Sequence, residues 1–226
     1  MSWFQLDAGQ VVERVRAEGQ VPEVPSLGSF VQRGIVGFTV LSVAGFAPWA
    51  VMGRWFYRNL GETGLYIVCA VVFIGLSGPL LHRLIIGPGS LSRFYKLFGV
   101  TFAAYSVLWI AGWMTLRGHP GSLVGLLAGT AAMGWMLACA FNAKRFTLKV
   151  IAALFILNSL GYFVGGWVEG VVLGTKSLPV PIAKLLWGVC YGIGFGGGLG
   201  VAYYLCQTDV RLALKGIATE KEVVAG

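Results

Sequence analysis

The sequence is poor in charged residues, which make up 12% of its 226 positions, whereas 57% are hydrophobic. A soluble domain carries about twice that charged fraction, so these charges cannot cover the surface that a soluble protein exposes to water. Together with a mean hydropathy of +0.77, the composition excludes a soluble globular enzyme, a disordered chain and a nucleic-acid-binding domain. It indicates a protein that crosses a membrane several times.

Motifs for metal binding and catalysis are also missing. The chain has no HExxH, no P-loop and no dinucleotide fingerprint, and no nucleophile lies beside a plausible base. The two histidines, His82 and His119, lie near helix ends, where we expect them to be interfacial or solvated. The four cysteines form no CxxC pair and are expected to be small buried side chains: Cys69, Cys139, Cys190 and Cys206. The sequence therefore predicts no metal site and no covalent chemistry, and it identifies no cofactor.

Six apolar stretches are long enough to span a bilayer, which requires about 20 predominantly apolar residues each. They lie at residues 34–52, 64–86, 97–116, 122–141, 148–173 and 182–206. The loops between them are short and leave no room for a soluble domain. The sequence thus predicts an all-α fold, a six-helix transmembrane bundle formed by residues 29–210.

The two ends of the chain are more polar than the predicted bundle. Within residues 1–28, Phe4, Ala8, Val11 and Val15 recur at helical spacing, away from most of the charges. This pattern predicts an amphipathic helix on the membrane surface, or alternatively a docking surface for a partner subunit. Residues 211–226 are expected to form a cytoplasmic tail.

Lys and Arg are concentrated on one side of the predicted bundle. Twelve lie on the side of both termini and five on the other side. Because cytoplasmic loops carry the excess of Lys and Arg, both termini are predicted to be cytoplasmic in the cell (inner) membrane. Six of the eight tryptophans fall near the opposite helix ends: Trp49, Trp55, Trp109, Trp113, Trp167 and Trp187. An interfacial belt of rings explains this placement, but a belt is similar on both faces, so an outward-facing cavity is the alternative.

Glycine is the most regular feature, with 34 in the chain. In the sixth span, Gly188, Gly192, Gly196 and Gly200 recur every four residues and therefore share one helix face. Such a stripe, a glycine zipper, lets another backbone approach closely. It predicts a tightly packed core of spans four to six, or alternatively a groove for a flat ligand, a lipid chain or a pigment.

Two helix faces combine polar and aromatic residues, one on span three and one on span five. A polar face on an otherwise apolar helix must face protein or water, so the pattern predicts an outward-opening pocket. In that pocket Asn158 would lie at the floor and Glu169 at the mouth. The alternative is a packed core in which Glu169 pairs with Lys184 or Lys176. The predicted ligand-binding residues are Tyr105, Trp109, Trp113, Asn158, Tyr162 and Glu169.

The stretch Phe30-Val31-Gln32-Arg33 at the head of span one and the glycine-rich last span resemble the Insig proteins and their bacterial relatives. Members of that family have about this number of spans and both ends in the cytoplasm. The resemblance covers only these two stretches. It implies binding of a lipid or sterol-like ligand.

Three functions are compatible with these features. The first is binding or transport of a small uncharged or weakly charged, partly hydrophobic ligand through an outward-facing pocket, without covalent chemistry. The second is a non-catalytic lipid-binding or regulatory subunit of a larger membrane complex. The third, a membrane-embedded lipid-modifying enzyme, lacks a catalytic set. The expected partners are membrane lipids, a second copy or another subunit, and not nucleic acid.

The predicted topology is testable with reporter fusions. A phosphatase that is active only outside the cytoplasm should be inactive when fused after residue 226 and active when fused near Gly118, because the Lys and Arg excess orients these sites oppositely. Enzyme activity in intact cells, normalised to the amount of fusion protein, is the measurement. The reverse pattern would contradict both the orientation and an outward-facing pocket.

Overall fold

The computed structural model describes residues 4–19 and 22–225, with side chains described up to residue 219. Over these residues the chain forms helices and no strand, so the all-α prediction is confirmed. Residues 1–3, 20, 21 and 226, which belong to the predicted end segments, lie outside the described residues. The helices are α1 (Ala8–Glu18), α2 (Leu27–Asn59), α3 (Gly61–Leu81), α4 (Ser90–Leu116), α5 (Gly118–Ala140), α6 (Thr147–Thr175), α7 (Val180–Cys206) and α8 (Thr208–Ala225).

The helices α2 to α7 are long and apolar enough to cross a membrane. They correspond to the six apolar stretches of the sequence, but α2 is much longer than the predicted 34–52. It begins after Ser26, whose side chain accepts a hydrogen bond from the amide of Ser29 and so caps the helix. At its other end it continues past Arg54 and Arg58, because charged residues with long side chains end an apolar stretch without ending a helix.

The last long helix, α7, packs closely against α2 on one side and α6 on the other. Glycine makes both contacts possible. A methyl group on Gly192 would lie 2.5 Å from the Cα atom of Thr39, and one on Gly200 would lie 2.6 Å from the carbonyl oxygen of Phe30. On the α6 side, a methyl group on Gly161 would lie 2.7 Å from the carbonyl oxygen of Cys190. The helices α2, α6 and α7 therefore form one close-packed unit.

The glycines of α5 face a different partner. A methyl group on Gly125 would lie 2.7 Å from the carbonyl oxygen of Trp109, and one on Gly129 would lie 2.9 Å from that of Tyr105. The prediction of a core of spans four to six is therefore confirmed for α6 against α7 and for Gly134 on α5 against Ile151 on α6, but it is incomplete, because α5 packs mainly on α4 and the stripe of α7 faces α2. The predicted alternative, a ligand groove along the stripe, is wrong at Gly192 and Gly200, because α2 occupies that space.

Aromatic rings join the α2–α6–α7 unit to the α4–α5 pair. The ring centroid of Phe38 on α2 lies 4.7 Å from that of Phe195 on α7 and 6.4 Å from that of Phe102 on α4. Phe73 on α3 lies 5.3 Å from Phe102. Rings are wider than the hydrogen atoms of glycine, so the two units stand further apart here than within each unit.

Both chain ends fold onto one end of the bundle, the terminal end. The apolar stripe of α1 is buried there: Val11 and Val15 belong to one cluster with Leu84 before α4 and Leu214 on α8. The predicted tail is thus a helix that packs against α1, and Val11 and Val15 of the predicted amphipathic stripe are buried inside the protein. The opposite end, the distal end, contains the turns near residues 60, 117 and 177.

Replacing Gly196 with leucine should destabilise the bundle. Its added side chain would meet the backbone of Gly34, and overpacking of this kind costs about 1–3 kcal/mol. Gly75→Leu is the control, because no atom lies within 4 Å of a methyl group placed on Gly75. Thermal unfolding in detergent is the measurement, with Gly196→Ala as a milder step should the leucine variant fail to fold. Equal stability of the Gly196 and Gly75 variants would contradict the packing of α7 on α2.

Candidate functional site

A cavity of about 810 Å³ lies at the distal end of the bundle, with walls from all six long helices. A smaller cavity of about 80 Å³ adjoins it closer to the bundle centre, and Trp109, Tyr162 and Trp187 line both. The volume of the larger cavity lies in the range of sites for small molecules. Its walls are dominated by aromatic side chains, including five tryptophans: Trp49, Trp109, Trp113, Trp167 and Trp187.

Five of the six predicted site residues line these cavities. Trp109, Trp113, Tyr162 and Glu169 line the larger one, and Tyr105 lines the smaller one. The predicted faces of α4 and α6 point toward each other, since the ring centroids of Trp109 and Tyr162 are 6.1 Å apart. The sixth residue, Asn158, lies behind Tyr105 and lines neither cavity.

A buried polar cluster lies beneath the floor of the smaller cavity. The side-chain amide of Asn158 on α6 donates a hydrogen bond of 3.0 Å to the hydroxyl of Tyr105 on α4, and that hydroxyl is 3.1 Å from the hydroxyl of Tyr191 on α7. All three side chains are buried. The cluster therefore connects three helices across the aromatic seam, and Asn158 does not line the pocket floor, as predicted, but contacts the lining residue Tyr105.

At the mouth, Glu62 on α3 joins three neighbours. Its carboxylate accepts hydrogen bonds from Tyr66 at 2.8 Å, from the Trp113 indole at 3.4 Å and from Arg117 at 3.1 Å. The bond to Glu62 raises the pKa of the Arg117 guanidinium. Because Arg117 lies in the turn between α4 and α5, this carboxylate fixes α3 against that turn.

Glu169 on α6 has no such partner in contact. Among the described residues the ion pairs within 4.0 Å are Arg117–Glu62 and Arg145–Asp209, so Glu169 forms no ion pair at that distance with Lys184 or Lys176, although Lys184 and Glu169 interact electrostatically. The Lys184 ammonium instead lies 4.4 Å from the ring centroid of Trp49, a cation–π contact.

Sequence reasoning missed the walls that α2, α3 and α7 contribute. The excess of tryptophan at distal helix ends pointed to Trp49 and Trp187. No signal marked Phe46 or Tyr66, because α2 and α3 are apolar around most of their circumference and no face stands out. His119, expected to be solvated, is exposed at the mouth, with its ring centroid 6.0 Å from that of Phe163.

The cavity presents aromatic rings and a few polar groups. In the part of the chain that the structure describes, no group of three or more His, Cys, Asp or Glu side chains is placed to hold a metal ion. The chain matches no protein-family model, no curated protein and no solved structure.

Replacing Tyr105 with phenylalanine should cost more stability than the same change at Tyr191. The Tyr105 hydroxyl contacts both Asn158 and Tyr191, so its loss leaves a buried amide without a partner, which costs about 1–3 kcal/mol. Tyr191→Phe removes a single neutral hydrogen bond, worth about 0.5–1.5 kcal/mol. Thermal unfolding in detergent measures both. A larger loss in Tyr191→Phe than in Tyr105→Phe would contradict the cluster.

Proposed function

We propose that this protein is an integral protein of the cell (inner) membrane, with six spans, both termini in the cytoplasm and the distal end facing outward. Six helices of sufficient length and apolarity support the insertion. The excess of Lys and Arg on the terminal side supports the orientation. In this arrangement α1 and α8 lie on the cytoplasmic side, and the cavity opens away from the cytoplasm.

We further propose that the cavity binds a small, partly hydrophobic ligand that is uncharged or weakly charged, without covalent chemistry. The observation that carries this proposal is the 810 Å³ cavity walled by aromatic side chains. Small-molecule sites are typically concave and apolar, with a few polar groups that orient the ligand. The polar groups that line this cavity include Glu169, His119 and Ser122. The hydroxyl of Ser122 is 3.0 Å from the Tyr162 hydroxyl.

The polar side chains near the cavity mostly hold helices together. Glu62 is engaged by Arg117, Tyr66 and Trp113, and Ser122 by Tyr162. Groups held in this way are suited to recognition, since their geometry is set before a ligand arrives. Binding or transport accounts for such an arrangement without any group that attacks a substrate.

Filling the cavity from its wall should weaken binding. Gly166 lines the cavity and has room for a side chain, with only the Trp187 indole nitrogen at 4.0 Å from an added methyl group. Gly166→Phe should therefore weaken binding of the uncharged fluorophore N-phenyl-1-naphthylamine by about tenfold or more, equivalent to about 1.4 kcal/mol. The measurement is energy transfer to the dye from the cavity tryptophans, all of which this variant retains.

Gly170→Phe is the matched control, because Gly170 lies on the same helix, has no atom within 4 Å of an added methyl group and does not line the cavity. Equal dye binding by both variants and the wild-type protein would refute the proposed site. Flux of the dye through protein-containing liposomes then distinguishes transport from retention.

A further inference from the structure

We infer that the cavity selects a hydrophobic monocation, such as a protonated amine or a quaternary ammonium compound. The inference rests on the proposed function and narrows it to a substrate class. It follows from the combination of an unpaired carboxylate with accessible aromatic rings in one cavity.

The charges around the cavity favour a cation. Two carboxylates, Glu62 and Glu169, line it, and among the described lining residues there is no Lys or Arg. Glu62 is neutralised by Arg117 at 3.1 Å. Glu169 has no ion pair within 4.0 Å in the part of the chain that the structure describes. Lys184 interacts electrostatically with Glu169, but it lies beyond that distance and does not line the cavity. The charged group that the cavity surface itself presents to a ligand is therefore the Glu169 carboxylate, in a partly buried wall where opposite charges attract more strongly than in bulk water.

The rings provide a second source of attraction for a cation. The negative face of an indole ring attracts a cation within about 6 Å of its centroid. Lys184, which does not itself line the cavity, already shows this contact with a lining ring, since its ammonium lies 4.4 Å from the centroid of Trp49. The rings of Trp109 and Trp113 are parallel, with an interplanar angle of 2° and centroids 6.2 Å apart, and both line the cavity that Glu169 also lines.

Other ligand charges fit these walls less well. An anion would meet the Glu169 carboxylate and the negative faces of the rings at once. A neutral ligand would exclude water from Glu169 without supplying a counter-charge, which costs free energy. A hydrophobic monocation satisfies the carboxylate with its charged group and the rings with its apolar body.

A pair of isosteres that differ in charge tests the inference. Benzyltrimethylammonium and its neutral carbon analogue neopentylbenzene have nearly the same shape, and each can displace N-phenyl-1-naphthylamine from the purified full-length protein. We expect the cation to bind about tenfold more tightly than the neutral analogue. Glu169→Gln should remove that preference, Glu169→Asp should retain it, and the control Glu13→Gln, which changes an exposed carboxylate of α1, should leave it unchanged.

The outcomes separate this inference from the proposed function. Equal affinity for both isosteres in the wild-type protein, with both weakened by Gly166→Phe, would overturn the cation preference and leave the cavity as the binding site. A preference that survives in Glu169→Gln would also overturn the inference. Displacement that is insensitive to Gly166→Phe would refute the proposed site and, with it, the inference.

Discussion

Close contact between helix backbones at glycine is the constraint on which the rest of this structure depends. At Gly192 and Gly200 the α7 helix approaches α2 so closely that even a methyl group would overlap backbone atoms, and Gly161 allows the same approach to α6. In a bilayer, lipid tails are as apolar as the helix surfaces, so helices associate through van der Waals contact rather than through the hydrophobic effect. Glycine maximises that contact and makes α2, α6 and α7 one unit.

The cavity follows from how this unit meets the rest of the bundle. The α4–α5 pair has its own glycine contact and joins the first unit through rings, with Phe102 against Phe38 and Phe195. Near the bundle centre these rings pack against one another, and the Asn158–Tyr105 hydrogen bond crosses the seam. Toward the distal end the helices no longer fill the space between the units, and the tryptophans line the opening that remains.

The roles of the few polar groups differ according to what they contact. Asn158 and Glu62 each connect helices, so their hydrogen bonds contribute to the position of the walls. Glu169 forms no ion pair within 4.0 Å among the described residues. The inferred preference for a cation depends on this division, because a cavity of fixed shape whose surface presents one carboxylate without an ion pair discriminates ligands by both shape and charge.

The sequence alone determined the number of long helices, the special faces of α4 and α6 and the stripe of α7, because hydropathy and helical periodicity are local properties. Tertiary structure alone decided that α7 packs on α2, that α5 packs on α4, and that α1 lies against α8. It also decided that α2 and α3 contribute Phe46 and Tyr66 to the cavity. Periodicity shows which face of a helix differs from the others, but not which neighbour that face meets. Six helices of similar apolarity can be arranged in many ways, and the fit between backbones and rings selects one of them.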